Sequence, residues 1–591
     1  MRGRQLTQTQ ASARRRLPRW LSGLLGLLCI LVGAFLVLKP FSSLAMLVLV
    51  IVVGLVLTGL GELSDDDPPG GRRLAVARGV VYLLAAVVVL VWPGATIRVL
   101  SVVVGIALVV GGVLDVVGAR RLSGTTRWNA LVSGIASVVF GLLALAWPDV
   151  TTLVIAVVFG AKVVILGVRL LVDAVRRTRK GDLEAALAHD ESPKGGWWRL
   201  LGSVGALAAA LVLILVSLTF QRGVPTADAF YDAPQSVPAQ PGKLLKSEPF
   251  TRKIPDGAMT WRILYTTTRD EGQPAVASAL VVAPKAAATT PSPVIAWAHG
   301  TTGAVPGCAP TVLDDPFETG AMFIEDKVIQ KGWVMVATDY VGLGTEGPHP
   351  YLIGQGEGRS VLDAMRAARQ LSGVRLTDQN VVWGHSQGGG AALWTGVLAP
   401  TYAPELKIAG VAALAPASNL IGLVENLHNV KGGSLFAAYV IDAYSRIYPD
   451  VRFDDYVRPG ARTVIREMAT RCLSEPGVMV SVISSLLVGP QIWSQDPGTG
   501  PLGKRLQDNT PPAKIQAPLL LGQGAADSLV VPTAQAAYVK SLCAAGQQVD
   551  YRTYAGRDHV PLVQADSPLA PELLDWTDQR LAGAAPKNTC P

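Results

Sequence analysis

The sequence predicts two fold classes in one chain. Residues 1–220 read as an all-α polytopic membrane domain of about seven transmembrane helices. Residues 246–591 read as an α/β domain with a mostly parallel sheet and a helical cap. Three observations predict this division. Long apolar stretches crowd the first third of the chain, strand-like and helix-like runs alternate in the rest, and a Pro-, Ala- and Gln-rich linker separates the two at 221–245.

The apolar stretches run over about 20–38, 43–61, 75–92, 97–118, 129–147, 150–173 and 197–220. Each is long enough to cross a hydrocarbon core of about 30 Å. Arg14, Arg15, Arg16 and Arg19 precede the first, and further basic clusters follow at Arg72 and Arg73, at Arg120, Arg121 and Arg127, and at Arg176, Arg177, Arg179 and Lys180. The intervening loops carry little beyond Lys39 and Arg98. The positive-inside rule therefore expects a cytoplasmic N-terminus, and an odd number of spans places the remainder on the extracytoplasmic side of an integral membrane protein. A hairpin unit repeats with a period of about 54 residues, marked by Lys39-Pro40, Trp92-Pro93 and Trp147-Pro148. Asp115, Lys162 and Arg169 fall inside spans and read as snorkelling or locally paired charges. The net charge of +8 does not imply nucleic acid, because the arginines flank apolar runs and form no basic-aromatic stripe.

Beyond the linker, strand-like runs occur at Trp261–Thr267, Ala277–Ala283, Val294–Ala298, Trp333–Asp339, Asn380–Trp383, Ile408–Leu414, Pro518–Gly522 and Asp550–Tyr554. Several are continuously apolar, as strands covered on both faces should be. Helical patterns lie between the later ones, at about 317–331, 357–371, 387–399, 532–545 and 571–582. About 100 residues separate the sixth run from the seventh, and the helix-compatible part, 417–510, reads as a cap over the C-terminal strand ends.

Chemistry concentrates at Gly384-His385-Ser386-Gln387-Gly388, directly after the strand-like Asn380–Trp383. A G-x-S-x-G pentapeptide between strand and helix is a nucleophile elbow, the mark of an α/β hydrolase fold. Its glycines clear a turn in which strand and helix nearly touch, and Ser386 is lifted out of the fold. A serine nucleophile needs a histidine base, itself oriented by a carboxylate. In this fold the chain order is Ser, acid, His. Two of the six histidines follow Ser386: His428 lies in the presumed cap and His559 follows the last strand, so His559 is read as the base. Asp527 leaves the strand before it and is read as the acid; the alternative, Asp558, adjoins His559 in sequence and cannot readily reach Nδ1. The oxyanion needs backbone donors. Gln387 supplies one, and Thr301 or Thr302, in His299-Gly300-Thr301-Thr302-Gly303 after the strand Val294–Ala298, supplies the other. A Thr hydroxyl could add a third donor. His299 reads as a brace of that loop, and His385 as a packed neighbour of the nucleophile. No Cys/His spacing suits a metal, and no cofactor motif is present.

Taken in order, Ala298-His299-Gly300-Thr301-Thr302-Gly303, Cys308-Ala309-Pro310, Asp339-Tyr340-Val341-Gly342-Leu343-Gly344, Gly347-Pro348-His349-Pro350-Tyr351 and the elbow resemble the secretory lipase family of the Candida lipase A type, over about 245–590. The resemblance implies a Ser386-Asp527-His559 triad, a helical lid and hydrolysis of carboxylic esters, often acylglycerols. The N-terminal hairpins resemble the HdeD-like membrane proteins. Cys308, Cys472, Cys543 and Cys590 allow three pairings. The reading adopted is Cys308 with Cys472, oxyanion loop to cap, and Cys543 with Cys590, securing the C-terminal tail, as an oxidising exterior permits. The function expected is a membrane-anchored extracytoplasmic lipase or carboxylesterase with a lipid or small-molecule ester as its partner. An acyltransferase using the same triad is the alternative in the same fold. A membrane stress or sensing module carrying a non-catalytic hydrolase domain is the alternative of another class.

Overall fold

The computed structural model describes residues 225–590 apart from 270–271, 320–323 and 489–490, and, before them, 19–38, 93–121, 123–146 and scattered positions between 52 and 208. The chain divides into two compact units, with the boundary in the chain at Val216–Ser217.

The described N-terminal residues are helical: α1 (Arg19–Leu38), α2 (Pro93–Gly118) and α3 (Gly124–Ala146). Among the described residues, one helical stretch, Gly124–Leu143, is long and apolar enough to cross a membrane by length and composition. Most of each span expected at 43–61, 75–92, 150–173 and 197–220 lies outside the described residues. α2 and α3 approach at backbone distance. A Cβ on Gly112 would stand 2.5 Å from the Gly134 carbonyl oxygen, and one on Gly141 would stand 2.7 Å from that of Gly105. Small residues at such crossings allow the close packing that holds helices together where apolar side chains alone give no preference. α3 begins at Gly124, a few residues before the apolar stretch, so Arg127 lies in its first turn.

The C-terminal unit is a nine-stranded sheet in the order β1-β2-β3-β5-β4-β6-β7-β8-β9. The strands are β1 (Leu244–Pro249), β2 (Ala258–Thr268), β3 (Pro274–Pro284), β4 (Ser292–Ala298), β5 (Val334–Thr338), β6 (Leu376–His385), β7 (Lys407–Leu414), β8 (Leu519–Gly524) and β9 (Asp550–Tyr554). The first three and their junction with β5 are antiparallel, and from β5 onward neighbours are parallel. The parallel strands β4 to β7 are apolar because helices cover both faces: α5 (Gly354–Ala368), α6 (Gln387–Tyr402) and α12 (Pro532–Ala544) lie with one hydrophobic cluster, while α4 (Glu325–Gln330) and α13 (Leu569–Leu581) lie with the other. Trp297 and Trp383, both in the second cluster, are among the largest fully buried side chains.

Part of the segment read as a linker is docked. Phe230 and Tyr231 are buried, and the Tyr231 hydroxyl donates to the Thr311 carbonyl at 3.1 Å. Between β7 and β8 stand the cap helices α7 (Leu420–Asn426), α8 (Gly433–Ile447), α9 (Arg462–Ala469), α10 (Val478–Val488) and α11 (Gly500–Asp508). In α10 the buried positions include Ser481, Ser484 and Ser485, while Met479, Ile483 and Leu486 are exposed. The inner serines find polar partners, for Ser485 meets the Ser434 hydroxyl and Ser481 accepts from Arg471.

Two disulfides staple this unit. Cys308–Cys472 joins the loop after β4 to the cap, with the Cα atoms 5.2 Å apart, and Cys543–Cys590 fastens the C-terminal tail to α12, with the Cα atoms 5.5 Å apart. The tail also pairs with β9: the Thr589 amide donates to the Val549 carbonyl at 2.8 Å, and Tyr551 donates to the Thr589 hydroxyl at 2.9 Å. The Cys308–Cys472 bridge spans 164 residues of chain, so its loss releases much denatured-state entropy. The double substitution Cys308→Ala/Cys472→Ala is expected to lower unfolding free energy by about 2–4 kcal/mol. A lowered thermal midpoint would register this, and an unchanged one would show the bridge to be dispensable.

Candidate active site

The site begins with a backbone collision avoided. A Cβ on Gly388 would stand 1.9 Å from the Ala298 carbonyl oxygen, and one on Gly384 would stand 2.0 Å from that of Gly388. Only glycine lets β4, β6 and α6 pass this closely. Between these glycines Ser386 adopts φ 60°, ψ −119°, a conformation costing about 1–3 kcal/mol for a residue with a side chain. It is held by its own backbone: the Ser386 amide donates to the Leu414 carbonyl, and its carbonyl accepts from the Gly390 and Ala417 amides.

Ser386 Oγ lies 2.8 Å from His559 Nε2, and His559 Nδ1 lies 2.9 Å from Asp527 Oδ2. The chain is continuous if Nδ1 carries the proton and donates to Asp527, leaving Nε2 to accept from the serine. Asp527 is buried and accepts from the Leu529 and Val530 amides at 3.0 and 2.8 Å and from the Gln523 side chain at 3.1 Å. These donors leave the carboxylate one orientation. Asp558 faces elsewhere, accepting from the Ser528 amide at 2.9 Å and the His559 amide at 2.8 Å. The Ser528 amide, with the other donors, holds its carboxyl below the usual range. It fastens the acid loop to the histidine loop.

The remaining histidines are structural neighbours with distinct tasks. His385 donates from Nε2 to the His559 carbonyl at 3.1 Å, and the two rings stand 4.8 Å apart. Burial first, and then the neighbouring His559, keep it uncharged. His299 donates to the Gly300 carbonyl at 2.6 Å, within the oxyanion loop, and burial pushes its imidazole down to about 4. His428 stays in the cap, donating to the Glu425 carbonyl.

Gln387 is the first residue of α6, so its amide has no intrahelical acceptor and is free for an anion. Thr301 lines the same pocket as Ser386 and Gln387. The Thr302 side chain is buried, its hydroxyl has no hydrogen-bond partner among the described residues, and its carbonyl accepts from the Leu473 amide of the cap. Beneath Gln387 lies a polar group that the motifs did not flag as functional. The Gln387 side-chain amide donates to Glu357 Oε1 at 2.7 Å and to His349 Nε2 at 3.0 Å, while His349 Nδ1 donates to the Val341 carbonyl at 3.2 Å. His349 belonged to a recognisable motif, but Glu357 carried no signal beyond being an acidic residue early in a helix.

The pocket is a cleft of about 350 Å³ of free space that includes its opening to solvent. Thr301, Tyr351, Leu352, Ser386, Gln387 and Ala417 form its floor, and Leu423, Leu427, Phe436 and Val440 of the cap, with Leu529 and Val530, form its apolar walls. Such a lining suits an acyl chain or another apolar group beside a reacting carbonyl.

Burial pushes the His349 imidazole down to about 3, from an ordinary 6.5. Below about pH 6 the unfolded chain therefore binds one more proton than the native chain at this group, and native stability falls as pH drops. His349→Gln removes that proton uptake. The dependence of unfolding free energy on pH should become shallower by about 1.4 kcal/mol per pH unit between about pH 6 and 4. Denaturant titrations across that range measure the slope, and an unaltered slope would contradict the assignment of a buried neutral imidazole.

Residues 317–589 match the family model described as secretory lipase, and residues 24–69, 77–144 and 132–188 match a model described as a short repeat of unknown function, DUF308. Lipase 6 of Candida albicans is 26% identical over 426 residues, covering 65% of this chain and 87% of that protein. Lipase A of Moesziomyces aphidis is 23% identical over 419 residues, covering 66% and 87%. Secreted triacylglycerol lipase LIP4 of Malassezia globosa is 29% identical over 246 residues, covering 39% and 52%. The crystal structure of Candida antarctica lipase A in its closed state superposes with a TM-score of 0.52 at 21% identity, covering 61% of this chain and 87% of that one, which shows a shared fold. The motif resemblance and these matches agree: the C-terminal part of this chain is similar to the secretory lipases and is a serine carboxylic-ester hydrolase.

Proposed function

We propose that this chain is a membrane-anchored, extracytoplasmic lipase or carboxylesterase that cleaves acyl esters, acylglycerols or related lipids among them, through an acyl-enzyme on Ser386. The observation that carries the reading is the unbroken hydrogen-bond chain from Ser386 Oγ through His559 to Asp527, opening into an apolar pocket. As Ser386 attacks the ester carbonyl, its proton passes to His559 Nε2, and Asp527 stabilises the imidazolium. The Gln387 amide and an amide of the Thr301–Thr302 loop bind the oxyanion. Collapse of the tetrahedral intermediate expels the alcohol, protonated by His559, and a water deprotonated by the same imidazole releases the acid. The capped apolar walls and the lipase relatives support a lipid ester as substrate. The repeat matches, the apolar stretches and the arginine-rich loops support seven spans over 1–220, with the N-terminus cytoplasmic and the catalytic domain of 246–591 outside.

On p-nitrophenyl acyl esters, Ser386→Ala in the full-length protein should lower kcat by about 10⁴-fold or more. Asp527→Asn should be severely impaired, whereas Asp558→Asn should keep kcat within about tenfold, because only Asp527 faces the imidazole. Turnover by Ser386→Ala, or the opposite ranking of the two aspartates, would overturn the assignments.

An impermeant fluorophosphonate should label Ser386 on intact cells expressing the full chain. Labelling that requires permeabilisation would reverse the proposed orientation.

A further inference from the structure

We propose that the Thr301 hydroxyl, turned by Tyr351, is a third oxyanion donor, an inference that rests on Ser386 being the nucleophile. Thr301 Oγ1 and the Tyr351 hydroxyl lie 2.9 Å apart, and both line the pocket with Ser386 and Gln387. Each hydroxyl carries one proton. Their mutual bond uses one of the two, and neither oxygen has another hydrogen-bond partner among the described residues. Whichever hydroxyl donates, one O–H proton is left over at the pocket wall.

The geometry points to Thr301 as the holder of that proton. A phenol is a stronger acid than an aliphatic alcohol and the better donor, so Tyr351 gives its proton to Thr301 Oγ1 and the threonine O–H turns to the pocket. Thr301 also belongs to the loop after β4 that faces the nucleophile. Burial pushes the Tyr351 hydroxyl above its ordinary value, which keeps it a donor at neutral pH.

Tyr351 is held from two directions. Its ring meets Tyr439 of α8 edge-on at 5.7 Å and stands 6.3 Å from the His349 ring. The next residue is fastened at both ends: the Leu352 amide donates to Glu357 at 3.1 Å, and its carbonyl accepts from the Tyr444 hydroxyl at 2.9 Å. A donor that must meet a charge formed only in the transition state gains from such preorganisation. Tyr351 is thus a positioning residue, acting through Thr301.

A pair that merely braced the loop would affect stability. A donor to the oxyanion affects kcat while leaving KM alone. In the full-length protein assayed with p-nitrophenyl butyrate, Thr301→Val should lower kcat about 10- to 100-fold with little change in KM. Thr301→Ser, which keeps the hydroxyl, should restore most of kcat. Tyr351→Phe should lower kcat less than Thr301→Val, and the double variant should be no worse than Thr301→Val alone, because both act through one donor. Thermal midpoints of the variants separate these effects from unfolding. A Thr301→Val enzyme with wild-type kcat, a loss confined to KM, a failed serine rescue or additive losses would each overturn the proposal. Ser386→Ala distinguishes the two readings. If it turns over substrate, the nucleophile is wrong. If it is silent while Thr301→Val and Tyr351→Phe perform as wild type, only the third donor is wrong.

Discussion

The contact between the Ala298 carbonyl and the backbone at Gly388 governs the rest of the catalytic unit. Any side chain at 388 would push β4 away from the start of α6. Because the two touch, the loop that leaves β4 emerges beside the residue that leaves β6. Thr301 and Gln387, distant in sequence, thereby line one pocket. The left-handed φ of Ser386 follows from the same crowding. Its cost is offset by the bonds that its amide and carbonyl make to Leu414, Gly390 and Ala417.

A second tier of backbone contacts sets the base against the acid. A Cβ on Gly524 would stand 2.4 Å from the Arg557 carbonyl oxygen, so the exits of β8 and β9 are also pressed together, though less closely than the elbow. The Ala525 amide donates to Tyr554 and the Ala526 amide to Arg557, and Asp558 closes the ladder by accepting from Ser528. The separation of Asp527 and His559 is therefore fixed by main chain, and the imidazole needs only one further constraint. His385 supplies it through the His559 carbonyl. In the proposed mechanism a charged His385 would repel the His559 imidazolium, so a buried, neutral ring suits this neighbour.

Much of this was legible because it follows from chain order and strand periodicity. The eight expected strand runs correspond to β2–β9, and inner strands such as β4, β5 and β8 announce themselves by apolar runs because both faces are covered. β1 escaped notice because its outer residues Ser247, Glu248 and Pro249 are exposed, and an edge strand with one neighbour has no apolar run to show. The helix at 478–488 was visible, but not the direction it faces. Periodicity alone would turn Met479, Ile483 and Leu486 inward, whereas the inner positions take serines with local polar partners. Ser386, Asp527 and His559 could be named from the order of motifs. Glu357 and Tyr351 could not be given roles, because a role arising from a buried hydrogen bond between remote loops leaves no spacing in the sequence. The N-terminal third offers the reverse case. Its apolar stretches are plain in composition, while its described helices reveal glycine-to-glycine crossings that composition does not specify.

The cap is more than a cover, because the loop after β4 is held partly by it. Gly303 lies so close to Cys308 that a Cβ would stand 2.4 Å from Sγ, and that sulfur is bonded to Cys472 of the cap. One residue further on, the Leu473 amide donates to the Thr302 carbonyl at 2.8 Å. On the other flank Tyr439 and Tyr444 of α8 hold Tyr351 and Leu352, and the same helix contributes Phe436 and Val440 to the pocket wall. The apolar pocket walls and the loop that carries Thr301 thus share supports. A substitution in α8 that widens the pocket also bears on the residues that hold Thr301, so in the proposed mechanism selectivity and turnover would change together. That linkage gives a reason for a covalent bridge at this position. A loop that must hold its donors within a few tenths of an ångström is better tied to the cap by a bond than by packing alone.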